Sequence, residues 1–166
     1  MKKYSILFIF GIISVLLLAG CSSATADEIV DYNNEFLITD YSDETNTFLE
    51  LWGEYEEIYA EESYEETATY FENELIPQAE KMLDLVKNKK IEAEELQEVH
   101  NLLIQSEEKQ LESFEKEVMF LQDGATDEAL DEEIFELDEE SYDLYEQFVE
   151  EFEELVDKYD IEEEEE

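Results

Sequence analysis

The chain of 166 residues contains 51 acidic and only 9 basic residues, which gives a formal net charge of −42. Binding to nucleic acid depends on Lys and Arg side chains that neutralise phosphates, and adhesion to anionic lipid headgroups depends on the same residues, so neither partner is expected. Disordered chains share a high net charge, but the 13% of aromatic residues found here indicates a folded core.

The N-terminal segment has the organisation of an export signal. Two lysines at positions 2 and 3 precede an almost unbroken apolar run over residues 4–18, which ends in Leu18-Ala19-Gly20-Cys21. A basic start, a short apolar core and a small-residue cleavage site are typical of a secretory signal peptide. The last four residues resemble the lipobox of bacterial lipoproteins. The resemblance implies cleavage between Gly20 and Cys21, acylation of Cys21, and a lipid-anchored location on the extracytoplasmic face of the cell membrane.

A retained transmembrane helix is the alternative interpretation of this segment. The apolar run over residues 4–18 is shorter than the roughly 20 residues that span a bilayer, which favours the cleaved signal. Cys21 is the only cysteine, so no intramolecular disulfide is possible. The predicted organisation is a signal peptide (1–20), a lipidated cysteine with a tether (21–27), an acidic helical bundle (28–160) and a disordered acidic tail (161–166).

The first two predicted helices are defined by apolar residues spaced three and four apart. The pattern of the first helix leaves open whether it continues through the polar run from Ser42 to Thr47. The second helix opens at residues 63–66, which form a capping-box sequence, and Pro77 is expected to kink or split it. The inward positions are Val30, Leu37, Tyr41, Phe48, Leu51, Trp52, Tyr55 and Ile58 in the first helix, and Ala68, Phe71, Leu75, Ala79, Leu83 and Val86 in the second.

The third and fourth predicted helices are longer and more regular. The third is expected to stop at Asp123-Gly124. The fourth is expected to begin at Thr126-Asp127-Glu128, which supplies an N-cap and an acidic first turn. The inward positions are Leu96, Val99, Leu103, Leu111, Phe114, Val118 and Leu121 in the third helix, and Leu130, Ile134, Leu137, Ser141, Leu144, Phe148, Phe152, Leu155 and Tyr159 in the fourth.

Together these segments predict an all-α fold, an antiparallel up-down bundle of long amphipathic helices. The bundle contains four helices, or three with a loose first segment. Counted outward from Gly124, Ser106 and Ser141 fall at nearly the same level of an antiparallel pair, and Gln110 lies one turn away. Two interpretations remain open for these serines. They form either a layer of small residues that lets the helices approach, or a polar waist that holds water or a small ligand.

Little in the chain could support catalysis. His100 is the only histidine, and its apolar neighbours at i−4, i+3 and i+4 indicate a residue at the boundary of the core. The carboxylate-bridged di-iron pattern needs Glu-x-x-His on two helices, whereas Gln97 occupies the position three before His100. The sequence contains neither a zinc-binding HExxH motif nor a glycine-rich phosphate loop. We therefore expect no enzymatic activity, cofactor, metal or catalytic residue, and Gly20 and Cys21 are the predicted site residues.

The whole pattern loosely resembles the small, helical, highly charged lipoproteins of Gram-positive bacteria. This resemblance implies a membrane-anchored interaction module that presents an acidic bundle to an envelope or extracellular protein partner. The alternative is a cation-binding or small-ligand-binding lipoprotein. A third hypothesis is that leader fragments ending at Gly20 act as peptide signals. Self-association is also open, because aromatic residues such as Tyr59, Tyr70 and Phe135 lie off the main apolar stripes.

Calcium is the divalent cation that best suits so many carboxylates, because it takes six to eight oxygen ligands. Three acidic clusters offer such oxygens, namely residues 54–66, 127–140 and 150–154. None has the spacing of an EF-hand loop, so weak and diffuse binding is expected. High net charge also keeps a surface protein soluble. Like charges one helical turn apart repel each other, so we expect salt to stabilise the fold.

Overall fold

The computed structural model describes residues 16–18, 23–61 and 63–163, and it confirms an all-α bundle of four long helical arms. We number the arms in chain order, and several contain more than one element. The first arm comprises α1 (Ala24–Asp31), a π-helical segment (Tyr32–Tyr41) and α2 (Ser42–Glu61); the second comprises α3 (Tyr64–Tyr70), a π-helical turn (Phe71–Leu75) and α4 (Ile76–Asn88); the third is α5 (Glu94–Gln122); and the fourth is α6 (Glu128–Lys158).

The first arm starts earlier than the sequence predicts. The Ser23 hydroxyl accepts a hydrogen bond from the amide of Ala26 at 3.1 Å and caps α1. The predicted tether over residues 21–27 is therefore wrong from residue 24 onward, because a serine N-cap supplies one of the acceptors that the first helical turn needs. Residues 21 and 22 lie outside the described part of the chain.

The polar run from Ser42 to Thr47 does not interrupt the first arm. These residues form the start of α2, and the Thr47 hydroxyl donates to the Asp43 carbonyl at 3.1 Å within the helix. The irregularity lies before them, in the π-helical segment. Hydrogen bonds from residue i to i+5 widen each turn, so the buried positions of this segment advance by four or five residues. They are Tyr32, Asn33, Phe36, Leu37 and Tyr41.

The second arm confirms the predicted capping box, whereas the split expected at Pro77 is replaced by a change of helix type. Ser63 and Glu66 form the reciprocal capping box, with a Ser63 amide to Glu66 Oε2 distance of 3.1 Å. Pro77 lies in the first turn of α4, directly after the π-helical turn. Proline has no amide hydrogen to donate into the preceding turn, and the change from π-helix to α-helix falls next to it. The arm therefore changes helix type ahead of Pro77 and continues.

The third and fourth arms are joined by a tight turn at the predicted place. Gly124 has a φ of 74° and Ala125 a φ of 57°, both in the left-handed region. The Ala125 amide donates to the Phe120 carbonyl at 2.9 Å, which closes the end of α5. The Asp127 carboxylate then caps α6 by accepting from the amide of Ala129 at 3.1 Å. Predicted helix ends and structure agree here.

The C-terminus differs from the predicted disordered tail. Leu16–Leu18 (β1) pairs antiparallel with Ile161–Glu163 (β2). Asp160, with a φ of 51°, turns the chain out of α6, and the Ile161 side chain is buried. The buried Ile161 side chain and the strand pairing give this short segment a defined position. The prediction of disorder for 161–166 is therefore wrong over 161–163. Residues 164–166 lie outside the described part.

The core runs the length of the bundle and is rich in aromatic rings. Phe114 of α5 stacks on Phe48 and Trp52 of α2, with ring centroids 5.8 and 5.9 Å apart. Towards the opposite end of the bundle, Phe152 of α6 packs against Tyr32 of the π-helical segment, with ring centroids 5.7 Å apart. Every inward position predicted for the second arm is buried. Among residues 16–18, 23–61 and 63–163, no helix combines the length and apolarity needed to cross a membrane.

Candidate functional site

The predicted lipid attachment residue and cleavage site, Cys21 and Gly20, lie outside the described residues. The first described residue after them is Ser23, which already caps a helix. The Glu28 carboxylate of α1 accepts from the amides of Glu92 and Ala93 at 2.6 and 2.8 Å. These bonds fix the start of the first arm to the loop between α4 and α5. We call this end of the bundle, which also contains the end of α6, the base, and the opposite end the tip.

The lysines are mostly paired with carboxylates. Seven of the nine lysines follow Cys21 in the sequence. In the described part of the chain, five of them form ion pairs, and Lys89 lies over the Phe36 ring at 5.2 Å. The pairs are Lys81–Glu44 at 2.7 Å, Lys87–Glu108 at 2.7 Å, Lys109–Glu140 at 2.6 Å, Lys116–Glu133 at 2.8 Å and Lys158–Glu95 at 2.7 Å. A partner approaching the bundle therefore meets mainly carboxylates.

The lysines are also unevenly placed along the bundle. Lys81, Lys87, Lys89 and Lys90 belong to the lower half of the second arm and the loop that follows it, and Lys158 ends α6. These five lie in the base half, whereas Lys109 and Lys116 lie above the middle of α5. The tip half consequently has the greater excess of negative charge. The sequence contained this signal, since the lysines cluster at 81–90, but it became readable only once the arms were paired.

His100 is buried and not, as the sequence suggested, at the boundary of the core. Its side chain is 3% exposed. The Nε2 atom lies 2.9 Å from the Val86 carbonyl, and Nδ1 lies 2.8 Å from the Tyr32 hydroxyl. Because a carbonyl can only accept, Nε2 carries the proton and Nδ1 accepts from Tyr32. Burial, as the largest cause, lowers the pKa of His100. The i±4 neighbours of His100 could not reveal this, because Tyr32 comes from a different arm.

Ser106 and Ser141 meet at the same level of α5 and α6, as predicted. The Ser106 hydroxyl donates to the Ser141 carbonyl at 2.8 Å, and the Ser141 hydroxyl donates to the Ser106 carbonyl at 3.0 Å. Both side chains are 3% exposed. A hydroxyl that reaches the opposite backbone requires closely spaced helices, and each hydroxyl is already satisfied. This geometry favours the layer of small residues over the polar waist.

Glu107, next to this layer, is a buried carboxyl that the sequence reasoning missed. It is 4% exposed, and its Oε1 atom accepts a hydrogen bond from the Tyr41 hydroxyl. Burial, opposed by this hydrogen bond, raises the pKa of Glu107 to about 7. The signal was its spacing, because Glu107 lies four residues after Leu103 and seven before Phe114, on the apolar face of α5. It was overlooked among 51 acidic residues.

A second group of sheltered carboxyls lies in the tip half, between α5 and α6. The Ser113 hydroxyl donates to Asp138 Oδ1 at 2.5 Å. Burial, followed by the charges of Asp138 and Asp131, raises the pKa of Glu117 to about 7. Burial likewise raises the pKa of Asp138, although the Ser113 hydrogen bond opposes it. Glu117 therefore carries only part of a negative charge near neutral pH.

The described residues contain no arrangement of side chains typical of a metal centre. There, no group of three or more His, Cys, Asp or Glu side chains is arranged to hold a metal ion. Two open surface depressions, of about 410 and 470 Å³, both lie at the base. The first lies between the π-helical segment and α4 and includes Phe36 and Lys89; the second lies between α1 and the loop before α5.

Comparison with known proteins gives no match: no family model, curated protein or solved structure is significantly similar to this chain.

Proposed function

We propose that this chain is an exported lipoprotein, held by a lipid on Cys21 at the extracytoplasmic face of the cell membrane. Its acidic bundle acts there as a non-enzymatic interaction module for an envelope or extracellular protein. The observation that carries the proposed interaction is the shortage of available positive charge, since five lysines of the described bundle are paired with its own carboxylates. The partner surface is therefore cationic.

The anchor and the bundle fit together sterically. Because α1 starts at Ala24, only two residues separate Cys21 from the capped helix. An extended chain advances at most about 3.6 Å per residue, so the base stands close to the lipid headgroups. The concentration of lysines in the base half moderates repulsion between the acidic bundle and anionic lipids. The tip half, with its larger negative excess, then points away from the membrane.

A cationic partner would be attracted over a distance set by salt. Complementary charge mainly accelerates association and selects partners, and exposed charges are screened beyond about 8 Å at physiological ionic strength. Binding to the bundle should therefore weaken as salt concentration rises. The sheltered carboxyl of Glu117, whose pKa is about 7, contributes only part of a charge to this attraction.

The anchor is tested by metabolic labelling with palmitate and by mass spectrometry of the isolated protein. The native chain is expected to lose residues 1–20 and to carry label, whereas Cys21→Ser is expected to do neither. Ser22→Ala, next to the cysteine, is the control that keeps both processing and label. An unlabelled native protein that retains Met1 would contradict lipidation.

The docking surface is tested by two triple variants of α6 with the same spacing. Glu132→Gln, Glu136→Gln and Glu139→Gln neutralise the outer face in the tip half. Glu150→Gln, Glu154→Gln and Asp157→Asn neutralise the matching positions in the base half; all six side chains are exposed. Crosslinking on intact cells should lose the partner with the tip variant alone. Crosslinking that survives both substitutions would show that the acidic face of α6 is not the docking surface.

A further inference from the structure

The Glu107 carboxyl is enclosed at the middle of the bundle. It extends from α5, and Tyr41 of the first arm donates a hydrogen bond to its Oε1 atom. The second oxygen, Oε2, is buried and has no hydrogen-bond partner among the described residues. A buried acceptor is normally satisfied, so this oxygen requires an explanation.

Two phenols interact with Glu107, namely Tyr41 of the first arm and Tyr145 of α6. Tyr32, also of the first arm, interacts with these two phenols and not with the carboxyl. Burial is the largest cause that raises the pKa of Tyr41 and of Tyr145, and the carboxyl of Glu107 is the next. Burial and then Tyr145 raise the pKa of Tyr32. All three are neutral over the ordinary range of pH.

Positive charge near Glu107 would stabilise its ionised form. Five of the seven lysines after Cys21 pair with other carboxylates in the described part of the chain, and no lysine has a resolved effect on Glu107. The histidine of the core, His100, is held neutral between Tyr32 and the Val86 carbonyl. The second arm contributes no titratable group with a resolved effect on Glu107 among the described residues. An ionised carboxylate at this position would be both desolvated and uncompensated.

A proton on Oε2 removes the buried charge and leaves Oε1 free to accept the hydrogen bond from Tyr41. We propose that Glu107 is a proton-binding site of this bundle, occupied in the folded chain and lost when the chain unfolds. The packing of the first arm and α6 against α5 then depends on proton concentration. This inference does not rely on the lipid anchor or on a protein partner.

The direction of the pH dependence follows from the two states. A glutamate in the unfolded chain has an ordinary pKa of 4.5, whereas the pKa of Glu107 in the fold is about 7. The folded state binds the proton more tightly, so the contribution to stability is complete below pH 4.5 and is lost as pH rises through about 7. Over this window, one differentially bound proton raises the unfolding equilibrium constant about tenfold per pH unit.

The test compares Glu107→Gln with Glu115→Gln in the full-length chain held in mild detergent. Glutamine has the shape of the protonated carboxyl and cannot ionise, and Glu115 is an exposed glutamate on the same helix. Denaturant unfolding is measured from about pH 4 to about pH 9, which brackets both pKa values. Because Glu117 also has a pKa of about 7, E107Q should reduce the pH dependence of the native chain by one factor of ten per pH unit, and E115Q should leave it unchanged. Equal pH dependence in all three proteins would overturn the proposal.

A direct titration keeps the proposal falsifiable if E107Q does not fold. The ¹³C NMR signal of the Glu107 carboxyl in the native chain should titrate near pH 7, well above the ordinary glutamate value of 4.5. Tyr41→Phe removes the hydrogen bond that opposes the rise in pKa, so its midpoint should move upward. A Glu107 signal that titrates near pH 4.5, or a midpoint that moves downward in the Tyr41 variant, would overturn the proposal.

Discussion

Replacing His100 with leucine measures how strongly the buried ring joins three arms. The substitution keeps an apolar side chain in the core but removes both hydrogen bonds of the imidazole. The Tyr32 hydroxyl, in a side chain that is 1% exposed, loses its acceptor at 2.8 Å. The Val86 carbonyl loses a donor at 2.9 Å but keeps the Lys89 amide at 3.2 Å. The larger penalty therefore falls on Tyr32.

The magnitude follows from these two losses. A buried hydroxyl left without a partner costs about 1–3 kcal/mol, and the loss of a satisfied carbonyl's second hydrogen bond costs about 1 kcal/mol. We expect His100→Leu to lower the free energy of unfolding by about 2–4 kcal/mol. Tyr32→Phe should restore part of this loss in the double variant, because it removes the stranded hydroxyl. The coupling between the two sites should be about 1–2 kcal/mol.

The assay is urea denaturation of the native chain, the two single variants and the double variant, followed by circular dichroism. The pH dependence provides a further check. Because burial lowers the folded pKa of His100, the neutral ring stabilises the fold fully above pH 6.5, and this contribution is lost as pH falls below that value. In the His100→Leu variant, the free energy of unfolding should no longer fall at low pH through this cause. A single-variant loss below about 0.5 kcal/mol, typical of a surface site, or strictly additive losses would refute the reasoning.

Three further outcomes are expected. Ser141→Leu should lower the free energy of unfolding by about 1–3 kcal/mol through overpacking, whereas Ser141→Ala should cost only about 1 kcal/mol; a more stable leucine variant in calorimetry would contradict the close approach of α5 and α6. Gly124→Ala should cost about 1–2 kcal/mol in denaturant unfolding, because alanine resists a left-handed φ; a neutral result would show that the turn relaxes. Sodium chloride should raise the melting temperature by screening repulsion among carboxylates, and a melting temperature independent of salt would contradict this.

Periodic spacing was enough to predict the third and fourth arms, their joining turn and the level at which Ser106 meets Ser141. These features depend on local residue types and on the regular geometry of the α-helix. The π-helical segment over residues 32–41 was not predicted, because apolar spacing of three and four residues predicts only an α-helix. A different limit applies to His100, whose burial depends on Tyr32, 68 positions away.

The features of the candidate site were likewise predictable from the sequence only in part. The net negative charge was readable directly, but the separation of lysines between base and tip required the pairing of the arms. Glu107 was detectable in principle from its place on the apolar face of α5. Its pKa depends on burial and on the hydrogen bond from Tyr41, which only the folded chain brings near it. Long-range polar contacts in a bundle leave no periodic signal in the sequence.

The pairing of β1 with β2 makes the C-terminus a reporter of events at the N-terminus. Leu16–Leu18 belongs to the segment that cleavage before Cys21, as proposed, would remove, and it covers the backbone edge of Ile161–Glu163. The processed chain would then present these last residues as a free, acidic epitope. An antibody raised against the C-terminal residues from Ile161 onward would recognise mature protein in preference to precursor, and would follow export in living cells without any added tag.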